Sequence, residues 1–148
     1  MIALRIPDGT PNAYLKDVTC GGTVRRDSLK LGDTDCGLRI TVGTDMGKLA
    51  ATIVDKDDKN DLNSSVCVSS TSAVTREEIA ATGTCSSADR GTISVSIALR
   101  PDRYFAVVTP PGTLDWVEYF LTNRGQGTLI DIKARSTVQV TLKSSNGR

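Results

Sequence analysis

Between Thr92 and Leu99 the side chains alternate without a break. Ile93, Val95, Ile97 and Leu99 fall on one phase, and Thr92, Ser94 and Ser96 on the other. A strand sends successive side chains to opposite faces, so this pattern fits a strand with one buried and one wet face. The same phase recurs at Ile2, Leu4 and Ile6, at Leu38, Ile40 and Val42, and at Leu49, Ala51 and Ile53. It returns at Thr128, Ile130 and Ile132, and again at Val138, Val140 and Leu142. Thr and Ser, abundant throughout, suit strands and turns. Arg103–Thr109 follows the turn triplet Arg100-Pro101-Asp102, which predicts a hairpin, and Arg135-Ser136 predicts a second one within 128–142. The expected fold class is therefore mainly β (α+β): an antiparallel sheet of about six to eight strands with one or two short helices.

Two segments carry helix signals. Thr75-Arg-Glu-Glu78 is a capping box, and Gly83 ends the short run that follows it. In Thr113–Thr122 the spacing of Leu114, Val117 and Leu121 favours a helix, whereas the strand formers from Trp116 to Leu121 favour a strand. Periodicity alone leaves both open. At 148 residues one domain is the expectation, a single β-rich body over 1–143 with a flexible tail at 144–148. Residues 55–63 read as a polar loop, and 63–90 form the longest stretch of low hydrophobicity. No apolar run reaches the roughly 18 residues that a membrane-spanning helix needs. Arg5, Pro7 and Asp8 interrupt any signal-peptide core, so the start reads as cytoplasmic or as a processed chain given a new Met.

The chain contains no histidine, and its formal net charge is +1. Imidazole acid–base chemistry, Ser-His-Asp and Cys-His nucleophiles and histidine metal sites are thereby excluded. The charge balance excludes a strongly basic tail but leaves room for a local basic face. Asp55, Asp57, Asp58 and Asp61 cluster, yet the glycine and glutamate of a calcium loop are missing, and Lys56 and Lys59 offset the charge. A solvated turn is expected there, with no metal and no cofactor. Thr19-Cys-Gly-Gly-Thr23 and Arg124-Gly-Gln-Gly127 match no phosphate-binding motif and read as turns. Asp115 and Glu118 would stand three apart on a helix and read as surface charge. No catalytic residues are assigned, and an enzyme is not expected.

Cys20, Cys36, Cys67 and Cys85 contain no CxxC pair, which argues against a zinc ribbon or a thioredoxin-like site. All four are disulfide candidates, alongside free thiols and bridges between subunits. Cys67 and Cys85, flanking a Ser/Thr-rich segment, read as exposed. The basic residues Arg25, Arg26, Arg39 and Lys48 are candidates for contact with nucleic-acid phosphates, which demand positive charge rather than base readout. Tyr104 and Tyr119 could stack on unpaired bases if exposed.

In layout, the run Ile2–Ile6 with Asp8-Gly9, the strand-like segments 37–42, 49–54, 92–99 and 103–109, and the segment 113–123 together resemble the coat proteins of small single-stranded RNA bacteriophages. The C-terminal 128–142, which reads as strands rather than a second helix, departs from that pattern. The resemblance implies a dimer whose sheet faces RNA inside a shell, with Arg39 and Lys48 as inward contacts, in a virion assembled in the host cytoplasm. The leading expectation is thus a self-assembling capsid subunit whose partners are copies of itself and single-stranded RNA, with no membrane. The alternative is an extracellular β-sandwich module for adhesion, pilus building or carbohydrate binding, with two disulfides.

Overall fold

A computed structural model of the chain describes residues 2–3, 13–20, 23–25, 28–29, 38–88 and 91–144. The chain divides into two compact units, Met1–Met46 and Gly47–Arg148. In the first, the strands are β1 (Ile2–Ala3), β2 (Tyr14–Cys20), β3 (Thr23–Arg25), β4 (Ser28–Leu29) and β5 (Leu38–Gly43). β2 pairs antiparallel with β3 and β5, with a register shift between Leu15 and Asp17, and β1 pairs with β4. Leu4 and Ile6, expected to extend β1, lie outside the described residues. A Cβ at Gly43 would overlap the Tyr14 ring, whose hydroxyl donates to Asp45 Oδ1 at 2.6 Å, so a side chain there would have to displace the ring. Ile40 and Val42 are each 48% exposed, so the apolar phase of β5 is only half covered.

The second unit contains β6 (Gly47–Val54), β7 (Ser65–Ser70), α1 (Arg76–Thr82), β8 (Thr84–Ser87), β9 (Ser94–Leu99), β10 (Asp102–Thr109), α2 (Trp116–Asn123), a 3-10 turn (Arg124–Gln126), β11 (Thr128–Ile132) and β12 (Thr137–Lys143). Its strands form two sheets, ordered β11-β10-β7-β8 and β12-β6-β9. They pack face to face over one core, in which Leu49, Ala51 and Ile53 of β6 and Val95, Ile97 and Leu99 of β9 meet Val66, Val68, Tyr104, Ala106, Ile130 and Ile132 of the other sheet. This is a β-sandwich, and the mainly β expectation holds. The pairing is not wholly antiparallel, because β12 runs parallel to β6.

Both expected hairpins are corrected. β9 pairs with β6 and β10 with β7 and β11; β11 pairs with β10 and β12 with β6. The turns at 100–101 and 133–136 carry the chain from one sheet to the other instead. The physical reason is that alternation fixes which face needs cover, and that cover can lie across the core as well as alongside. The low-hydrophobicity segment 63–90 also contains more structure than its composition implies. β7 is an internal strand of its sheet, with Val66 to Ser70 all buried.

The two helices cover the outer face of the four-stranded sheet. Ile79 of α1 and Val117 and Phe120 of α2 pack on Cys67 and Val107. α1 starts as its capping box predicts, with Thr75 Oγ1 accepting from Glu78 N–H at 3.2 Å. The Glu78 carboxylate accepts from Val74 N–H rather than from Thr75 N–H. α2 resolves the ambiguity at 113–123 in favour of a helix, capped by Asp115. Packing decides the matter: Val117 and Phe120, spaced for one helical face, reach the apolar floor that the sheet provides. Gly83 lies so close to the Ile79 and Val68 carbonyls and the Trp116 ring that a Cβ would collide with all three. No helix among the described residues is long and apolar enough to cross a membrane.

Candidate functional site

Cys67 and Cys85 lie between the four-stranded sheet and its helical cover. Cys67 and Cys85 stand directly opposite each other on β7 and β8 and are joined by a disulfide. Cys67 is 0% exposed, and its Sγ accepts from Thr109 Oγ1 at 3.1 Å. The expectation that both cysteines sit on an exposed surface is corrected: α1 and α2 roof over the bridge, and Cys85 remains half-buried. The neighbouring Ser and Thr residues misled that reading, because small hydroxyl side chains tolerate burial in a strand when the cover is tight. Cys20 belongs to β2, and Cys36 lies outside the described residues.

Ser69, on the same face as Cys67, is also 0% exposed, and its Oγ has no hydrogen-bond partner. A buried hydroxyl without a partner carries a desolvation cost that burial of the same volume without the oxygen avoids. Ser69→Ala is therefore expected to leave the fold intact and raise unfolding free energy by up to about 1 kcal/mol. A loss of stability in chemical denaturation would show that the hydroxyl has a partner in solution.

The carboxylates are engaged with the backbone beside them. Asp55 Oδ1 accepts from Asp57 N–H at 2.8 Å and from Lys59 N–H at 3.1 Å, closing the turn, while Asp58 sits at φ 59°. Asp61 accepts from Asn63 N–H, Ser64 N–H and the Ser64 hydroxyl at 3.0, 3.1 and 2.8 Å. Partial burial pushes the Asp61 carboxyl upward. Hydrogen bonds from Ser64, Ser144 and the local amides outweigh that effect and hold it below its ordinary value of 3.8. Since Ser144 N–H also donates to the Val54 carbonyl, Asp61 helps tie the end of β12 to the loop after β6. Among the described residues, no group of three or more metal-ligating side chains gathers here or elsewhere.

The depressed Asp61 carboxyl sets a sign for pH. Its contribution to stability is full above the unfolded value near 3.8 and disappears as pH falls through the lower folded value. At neutral pH, Asp61→Asn is expected to cost about 1 kcal/mol, the scale of a lost side-chain cap. The gap between wild type and variant should close below pH 3.8. A gap independent of pH in urea titrations would show that the carboxylate charge is irrelevant.

At the other end of the helical layer, Arg76 bridges Asp115 and Glu118, joining α1 to the start of α2. The hydrogen bond and charge of Asp115 raise the Arg76 guanidinium above its usual value, and Arg76 holds the Asp115 carboxyl below the usual range. All three side chains are largely exposed, so this is a surface clasp.

The candidate phosphate contacts are distributed as follows. Arg39 is exposed on β5, in the row of Thr19 and Val24, whereas Arg25 occupies the adjacent row with Val18 and Ile40. Arg26 lies outside the described residues. Lys48 is exposed on β6, between Thr137 and Ala98. The strand pairing does not bring Arg25 and Arg39 into one row. Tyr104 is removed as a stacking platform: it is 4% exposed and its hydroxyl donates to the Arg100 carbonyl at 2.7 Å. Tyr119 is half-buried.

What sequence reasoning missed is the outer face of the three-stranded sheet. Its rows are Thr137–Lys48–Ala98, Gln139–Ala50–Ser96 and Thr141–Thr52–Ser94. The result is a field of mostly short, uncharged side chains, with a depression of about 530 Å³ between Thr52, Ile93, Ser94, Gln139 and Thr141. A smaller hollow of about 210 Å³ lies beside Tyr119, Asn123, Gln126 and Lys143. Neither gathers convergent charged groups. The polar phases of β6, β9 and β12 were legible separately, but their union needed the pairing. No protein-family model, no curated protein and no solved structure matches this chain.

Proposed function

We propose that the chain is a structural subunit that assembles with copies of itself, of the kind that builds a virion coat around single-stranded RNA. The observation that carries this reading is how the polar groups are used. Among the described residues, Asp55, Asp61, Asp115 and Glu118 close turns, cap a helix and clasp Arg76, while the outer face of the β12-β6-β9 sheet presents mostly small, uncharged side chains. Such a surface suits close approach by another extended surface, and a ligand site would instead be concave with convergent polar groups. In this reading Arg39 and Lys48, with Arg25 and Arg26, supply charge toward phosphates. Their contribution should weaken as salt rises.

Electron microscopy of the purified protein, with size-exclusion chromatography and light scattering, tests the proposal. Closed particles or defined oligomers that protect RNA from nuclease are the expected result. Lys48→Ala should then lower the RNA retained and flatten its salt dependence. A monomer at every concentration, without nucleic acid, would refute it.

One observation favours a second reading. The Cys67–Cys85 bridge lies within one chain, with Cys67 fully buried, which suits an extracellular adhesion, pilus or carbohydrate-binding module folding in an oxidising compartment. A solitary chain that binds glycans under non-reducing conditions would select that reading.

A further inference from the structure

The sandwich has four edge strands among the described residues, and they are not equally protected. β8 has only four residues, β11 carries Asp131, and β12 carries Lys143. Short length and charge are two of the ways in which proteins discourage strand addition at a sheet edge. β9 has neither. Ser94-Val-Ser-Ile-Ala-Leu99 contains no charge, proline or glycine, and among the described residues it pairs on one side only, with β6. Its alternate backbone N–H and C=O groups therefore face away from the sheet. Ile93, just before the strand, continues the phase of Val95, Ile97 and Leu99. Those three are at most 7% exposed, whereas Ile93 is 58% exposed. Ile93 stands at the border of the depression beside Thr52, Ser94 and Thr141, next to the open end of the strand.

We infer that β9 is a self-association edge that pairs antiparallel with β9 of a second copy, joining two three-stranded sheets into one of six strands. The occupant is a second copy because the edge is self-complementary. An antiparallel pairing centred on Ser96 sets Ser94 opposite Ala98 and Val95 opposite Ile97. It also sets the exposed Ile93 opposite Leu99 of the other chain, so each phase meets its own kind. The strand is neutral, so a two-fold axis through Ser96 places no like charges together. This inference rests on the self-assembly reading and adds to it one edge through which two copies pair.

Ser96 is exposed, on the wet face, so replacing it should leave the fold intact. The test uses Ser96→Lys and Ser96→Glu in the full chain, with circular dichroism as the check on folding. In sedimentation equilibrium, each variant alone is expected to raise the dimer dissociation constant by about tenfold or more, because like charges meet across the axis. Mixing the two variants in equal amounts should restore association as a heterodimer. If wild type associates and both variants associate equally well, the β9 pairing is wrong while self-assembly stands. If wild type stays solitary at every concentration, both fall. Loss of association by both variants without rescue on mixing also overturns β9–β9 pairing, and places the edge against a different surface of the second copy.

Discussion

Replacing Cys67 and Cys85 together by alanine is expected to lower the unfolding free energy by about 3 kcal/mol and the midpoint of thermal unfolding by roughly 10 °C or more. The bridge closes a loop with a sequence separation of 18 residues, so its removal returns conformational entropy to the unfolded chain. The variant also leaves two truncated side chains beneath α1 and α2, where Cys67 has no exposure at all. β8, with four residues and a single partner in β7, is the element most dependent on the bridge. Amide exchange in the variant should accelerate first at Thr84–Ser87 and in α1. Calorimetry showing a midpoint unchanged from the oxidised wild type would show that the bridge adds nothing to stability.

The second large effect is expected at Phe120. It is 0% exposed and packs with Ile79 and Val117 between the helices and the sheet. Its ring meets Trp116 edge-on at a centroid distance of 6.3 Å. Phe120→Ala should cost about 3–5 kcal/mol through lost transfer energy and a cavity that the sheet cannot collapse to fill. Nearby, the Arg124 guanidinium lies 5.2 Å from the centre of the Phe105 ring and donates to the Ala73 carbonyl, so the roof is fastened at its rim as well. The helical circular-dichroism signal should therefore melt before the strand signal in the variant. Leu114→Ala is the control: this side chain is fully exposed, and its removal should change stability by less than about 0.5 kcal/mol. A Phe120→Ala protein as stable as the Leu114→Ala control would mean that the helices do not depend on their apolar contact with the sheet.

Much of the fold was legible in local pattern. The phases at Leu49–Ile53, Val95–Leu99 and Ile130–Ile132 mark residues that lie in the core. Thr75 begins a helix because its side-chain oxygen accepts from the amide three residues onward, a matter of local geometry; Asp115 caps α2 in the same way, although it reads in the sequence as surface charge. Asp55 closes its turn for the same reason. The exposure of Cys67 was misread because the burial of β7 depends on neighbours far away in the chain. A Ser- and Cys-rich strand has no local mark that distinguishes the middle of a sheet from a surface loop.

By itself, the sequence determined where several strands and the first helix form, which phase of those strands seeks cover, and that imidazole chemistry is impossible. Those properties depend on spacing within a few residues and on residue identity. Only the tertiary structure decided that β9 and β10 cross the sandwich instead of forming a hairpin, that β12 runs parallel to β6, and that Cys67 meets Cys85 under a helical roof. It also decided that the uncharged β9 is among the strands that lie at a sheet edge among the described residues. Strand partners are long-range choices: an apolar face is satisfied equally by a neighbour alongside or a sheet opposite, and only the packing of the whole unit selects between them.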